Sequence, residues 1–128
     1  AGIHDPMTYE AEYLAHHNIA TIGPEQIKDD GKDVIEWIEK ENIEYLAIHI
    51  DLDVLDPSLF RSVLFARPDR GEHDFGDVAE GKLTIENVLN LIAQATSKAQ
   101  PVGLTIAEHL PWDMLNLKNM LSALPLIK

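Results

Sequence analysis

Residues 43–57 limit the fold more than any other stretch. From Tyr45 to Ile50 the chain is apolar or β-favouring apart from His49, and it runs straight into Asp51-Leu52-Asp53-Val54-Leu55-Asp56-Pro57. A short apolar run of this kind predicts a buried strand of a parallel sheet. If the chain stays extended past Ile50, Asp51 and Asp53 point to one side, and Leu52 and Val54 turn the other way into packing. Two carboxylates side by side at a strand's end repel each other and lose hydration, and a cation between them is the usual resolution. Pro57 cannot continue the ladder, and Asp56 is expected to order the turn by local hydrogen bonds rather than to bind metal.

The flanking sequence alternates between strand-like and helical patterns. Ala1–His4 and Ile19–Ile22 are short strand candidates, ended by Asp5-Pro6 and Gly23-Pro24. Thr8 to His17 is helical in pattern, with Tyr9, Tyr13 and Leu14 on one face, and the His16-His17 pair at its end suits the helix dipole. Pro24 fits the first turn of a helix that Gly31 interrupts. Asp33–Glu41 continues with Val34, Ile35, Trp37 and Ile38 as an apolar face opposite Glu36, Glu39 and Lys40. The segment from Pro57 to Lys82 has little periodicity, a length that marks functional or disordered loops. It holds Arg61, Arg67 and Arg70, the only arginines in the protein, for which a solvated loop is the plain expectation. Thr84 is placed to cap an amphipathic helix through Ile85, Val88, Leu89 and Ile92. A further strand over 101–108 ends in Glu108, and Pro111-Trp112-Asp113 opens a last helix with Met114, Leu117, Met120 and Leu121 inward. Alternation of this kind predicts an α/β fold, a mainly parallel sheet with helices on both faces, and ligands at the carboxyl ends of its strands.

Charge narrows the partners. The chain has 128 residues, enough for one domain, with 22 acidic against 10 basic side chains and a formal net charge of −12. Such an excess argues against nucleic acid or an anionic membrane surface and suits cation binding. There is no cysteine, which excludes disulfides and thiolate chemistry and makes the cytoplasm the default compartment. Absence of an initiating Met, and a first segment that reads as mid-strand, suggest part of a longer protein.

Three chemistries use a carboxylate string of this kind. A calcium loop is excluded, because Asp56 stands at the loop's glycine position among apolar Leu52, Val54 and Leu55. Phosphatases of the haloacid dehalogenase type place D-x-D after a buried strand, with the first Asp attacking phosphorus. Here Leu55 stands where that motif has Thr or Val, and its later motifs are missing, so this is the runner-up. The third fits best: Asp51-Leu52-Asp53-Val54-Leu55-Asp56-Pro57 resembles the D-x-D-x-x-D-P signature of the ureohydrolases, the arginase, agmatinase and formimidoylglutamase family. The similarity extends to Gly2-Ile3-His4-Asp5, where His4 replaces the Arg of a G-[IL]-R-D segment. It extends also to Gly81-Lys82-Leu83-Thr84 and to the strand ending in Glu108.

That resemblance implies the C-terminal part of a three-layer α/β/α arginase-like fold spanning residues 1–128. It implies a manganese-dependent hydrolase of linear C–N bonds in a small guanidino or amidino compound, with two Mn²⁺ ions that activate water. By position, Asp51 would bridge the ions, Asp53 would bind one, and Glu108 would accept hydrogen bonds from the substrate. The family's remaining ligands come from G-G-D-H and D-x-H-x-D segments that do not occur here, so this chain alone is expected to be inactive, and a homo-oligomer is the expected assembly. A non-catalytic binding fragment is the other alternative. His49 is expected to be a satisfied core or outer-shell histidine, His109 to serve a structural role or line the pocket, and Trp37 and Trp112 to be core or packing residues.

Overall fold

The computed structural model describes residues 1–71, 74–112 and 114–127. Its order is α1 (Thr8–His16), α2 (Pro24–Asp29), α3 (Lys32–Lys40), β1 (Tyr45–Asp51), α4 (Ile85–Lys98), β2 (Gln100–Ala107) and α5 (Met114–Ala123). The fold is α/β, and among the described residues its sheet is two parallel strands, β1 beside β2. Local chemistry explains most boundaries. Pro24 starts α2 with its fixed φ, and Gly31, at φ 64°, breaks α2 from α3 in a conformation that few other residues adopt. Thr84 accepts the Asn87 N–H and caps α4, while the Asn87 side chain accepts from Thr84 N–H.

Both expected N-terminal strands are absent as strands. Gly2 (φ 86°) and Asp5 (φ 45°) leave the β region on either side of His4, so 1–4 cannot run as a ladder. One hydrogen bond, from Gly2 N–H to the Ile22 carbonyl at 2.7 Å, ties this segment to residues 19–22. The helix that follows them, α1, has no buried residue; Tyr9 and Tyr13 are exposed rather than packed.

The expectation of a buried β1 also needs correction. Leu46, Ile48 and Ile50 turn toward the helices, whereas Tyr45, Ala47, His49 and Asp51 are exposed. The strand is apolar on both sides, but only one side has α3 and α4 to pack on. Tyr45 is 60 % exposed and Val102 on β2 57 %. Val102 is an extra residue in the pairing, a bulge beside Pro101, which has no N–H to give the ladder.

The most deeply buried side chains lie past the end of β1. Leu52, Leu55, Phe60 and Val63 are at most 1 % exposed and form one cluster with Leu83, Ile92 and Met120. The 57–82 segment is therefore packed structure where described, not the solvated loop its composition suggests. Leu55 pairs with Leu83 in an isolated parallel bridge: Leu83 N–H donates to Val54 at 3.1 Å and Asp56 N–H to Leu83 at 2.8 Å. A smaller cluster of Ile38, Ala95 and Ala99 holds α3 against α4, and Trp37, expected as a core or packing residue, is 39 % exposed. In α5, Leu117 and Met120 are buried as expected, but Met114 is 58 % exposed. Asp113, expected at the start of that helix, lies outside the described residues.

Packing at Leu52 and exposure at Tyr45 set opposite expectations for truncation. Leu52→Ala should lose about 2–5 kcal/mol of stability through the cavity it leaves. Tyr45→Ala should stay within about 0.5 kcal/mol of the parent. Urea unfolding of the two variants checks both.

Candidate metal centre

β1 ends at Asp51, and the chain then tightens into a 3₁₀ turn over Leu52–Val54 rather than staying extended. Alternation along a strand therefore does not explain how the two carboxylates meet. Instead the Asp51 side chain accepts the Asp53 N–H at 2.9 Å, capping the turn. Asp51 and Asp53 still line one cleft, with Ala1, Gly2, His4 and Gly81. Val54 packs against the core as expected and lines the cleft too, while Leu52 is fully buried in the core.

Gly81 makes the far wall possible. A Cβ there would collide with the carbonyl oxygens of Asp53 and Leu55, so only glycine lets this segment lie against the turn. The backbone of Leu64, which starts the 3₁₀ segment Leu64–Ala66, also acts on the Asp53 carboxyl and favours its charged form. This influence is main chain, and no side-chain pattern in the sequence announces it.

Burial is what most strongly raises the Asp53 pKa, to about 6, and the charges of Asp51 and Glu108 raise it further; the Leu64 hydrogen bond opposes them. Asp53 Oδ1 is buried without a hydrogen-bond partner, and so is His4 Nε2 in the same cleft. An unpaired buried carboxylate oxygen is costly and is the kind of atom a hard cation satisfies. The donor set fits a cation in that sense only in part. Among the described residues, no group of three or more His, Asp or Glu is close enough to hold a metal ion.

Glu108 stands one residue past β2, with φ 59° in the left-handed region, and its charge acts on Asp53. Its neighbour on β1 is Asp51, whose register partner is Ala107. The carboxyl ends of the two strands thus bring Asp51, Asp53 and Glu108 to one end of the sheet. Asp56 does what a turn residue does: it accepts from Ser58 N–H (2.8 Å) and Ser58 Oγ (2.6 Å), and these bonds hold its carboxyl below the usual range. His49 is exposed, not a core residue, with Nδ1 2.6 Å from Thr105 Oγ1 across the strand pair. His73, in the arginine-bearing loop, lies outside the described residues.

The three arginines are not simply solvated. With Pro57, Ser58 and Glu80 they line a second cleft, distinct from that of the carboxylates. Arg67 Nε lies 2.8 Å from Asp69 but misaligned for a hydrogen bond, and its Nη2 donates to Asp74.

Compared with known proteins, the chain matches no family model and no curated protein. No helix among the described residues is long and apolar enough to cross a membrane.

A carboxyl with a pKa of about 6 when folded, against 3.8 unperturbed, keeps its proton in the native state after the unfolded chain has released it. The folded state then binds more protons between about pH 4 and pH 6, so Asp53 lowers stability as pH rises through that window. Below it the contribution vanishes, and above it the loss is complete. Asp53→Asn should therefore match the parent near pH 4 and exceed it at pH 7, as read by urea midpoints at the two pH values.

Proposed function

We propose that this chain is the C-terminal part of a three-layer, arginase-like hydrolase that cleaves a linear C–N bond in a guanidino or amidino compound. The observation that carries the reading is the convergence of Asp51 and Asp53 on one cleft, with Asp53 Oδ1 buried and unpartnered. Support comes also from the resemblance of residues 51–57 to the ureohydrolase signature. Hard carboxylate oxygens suit Mn²⁺. In this reading Asp51 and Asp53 would hold the metal, and the remaining ligands would come from sequence outside this chain. Bound manganese would supply a lowered water pKa and positive charge at the reacting group.

The chain's own residues then have separate tasks. Asp53 carries a proton below about pH 6 and must release it before it can ligate. Glu108 offers two oxygens in a plane, which match the paired N–H groups of a guanidinium or amidinium. Its left-handed backbone turns the chain sharply at the end of β2. Asp53 Oδ1, buried and unpartnered, is the oxygen that a cation would take.

A second reading, a fragment that binds without turnover, is favoured by the lack of a third ligand among the described residues. Manganese stoichiometry separates the two. A productive site holds two ions in the intact polypeptide; a vestigial one holds none or one weakly.

Titration with Mn²⁺, read by the electron paramagnetic resonance signal of the free ion, tests the assignment. Affinity should rise about tenfold per pH unit below pH 6 and level off above it, as expected when one proton must leave. In the intact polypeptide Asp51→Ala or Asp53→Ala should lose metal and, with it, release of urea or a related amide from guanidino and amidino compounds. Full metal occupancy and normal turnover in both variants would remove the assignment.

A further inference from the structure

The arginines have no part in the carboxylate cleft, yet all three meet in one place. Arg61, Arg67 and Arg70 line a cleft of about 250 Å³, together with Ser58, Phe65 and Glu80. A chain with a formal net charge of −12 repels anions in general, so gathering every guanidinium into one cleft is a local departure from its field. Among the described residues Glu80 is the one carboxylate that lines the cleft; Asp69 and Asp74, which pair with Arg67, do not. The lining is therefore positive.

The three groups are held to different degrees. Arg70 is fixed: Nη1 donates to the Phe65 carbonyl at 2.9 Å, Nη2 pairs with Glu80, and the guanidinium lies 5.0 Å from the Phe75 ring centre. Arg67 Nη2 donates to Asp74 at 2.5 Å, while its Nε makes no hydrogen bond. Arg61 is exposed and forms no ion pair among the described residues. Its one hydrogen bond there runs from Nη2 to the Ala66 carbonyl at 3.2 Å. A cluster that served packing alone would give each guanidinium its own carboxylate, as Arg67 and Arg70 have. Arg61 breaks that pattern and keeps most of its donors unused.

The geometry points to a binding site for a small oxyanion: the cleft takes the carboxylate or phosphate group of a soluble ligand, with Arg61 as its principal donor and Arg67 and Arg70 as a positive wall. A planar fork binds such a group through paired, charge-assisted hydrogen bonds, which a lysine cannot reproduce. The inference does not rest on the reading of the Asp51–Asp53 cleft.

Three arginines give three side-chain Nε–H signals in a nitrogen–proton NMR spectrum, and all three report on the cleft. They are followed while inorganic phosphate, or separately succinate, is added to this chain at constant ionic strength. At least one probe should shift them saturably, with a Kd of about 1 mM or tighter, and leave the Ile48 and Ile106 amides in the strands in place. Saturation by phosphate alone or by succinate alone supports the site and names the oxyanion it prefers; saturation by both supports it for either group. Arg61→Met, a change at an exposed side chain, should weaken binding at least about tenfold. Arg61→Lys should weaken it as well, and Lys98→Met, which removes the same charge from α4, should stay within about twofold of the parent. No saturation by about 20 mM of either probe overturns the inference. So does parent-like affinity in Arg61→Met or in Arg61→Lys. Equal weakening in Arg61→Met and Lys98→Met overturns it too, because the field of the whole molecule would then account for the binding.

Discussion

The arrangement depends first on how closely residues 81–83 approach the turn that follows β1. Leu83 exchanges backbone hydrogen bonds with Val54 and Asp56, and Gly81 lies where no side chain would fit. That contact buries Leu55 and Leu83 together, closes the 57–82 segment on itself and gives the carboxylate cleft its far wall. Closing a loop of this length adds little entropy beyond closing a shorter one, since the cost grows only logarithmically. The apolar burial at Phe60, Val63 and Leu83 is ample to hold it shut.

Electrostatics at the cleft run against the protein's stability. Two carboxylates share a cleft and the charge of a third acts on Asp53, one oxygen of which lacks a partner. Groups arranged at such a cost cluster where they have work to do, and the strain at Glu108 belongs to the same pattern. The Leu64 backbone relieves part of the repulsion without satisfying it. What remains is a site biased toward a proton or a cation.

Much of this was legible in the chain itself, and the exceptions have physical causes. The caps at Pro24, Gly31 and Thr84 act through residues within one turn, so the sequence announces them. Asp51, Asp53 and Glu108 were placed at strand ends by the apolar runs before them, and Asp56 by its neighbour Pro57. Residues 1–4 and 19–22 carry a strand pattern without forming strands, because a β-branched pattern does not reveal the positive φ of Gly2 or a missing neighbour. The burial of β1 was overstated for a related reason: apolar content shows what a strand tolerates, not what is there to cover it. The influence of the Leu64 backbone on Asp53 is invisible in the sequence, because it comes from the main chain.

A two-stranded parallel sheet leaves each strand with an outer edge that no other strand occupies among the described residues. Unpaired edges recruit strands from other molecules unless something keeps those molecules apart. Here mutual repulsion from a net charge of −12 does so at neutral pH, and it disappears near the isoelectric point of about 4.7. At that acidity Asp53 is protonated and the fold is relieved of its buried charge. The same acidity thus removes the Asp53 penalty within each molecule and exposes a population of molecules to strand-to-strand association.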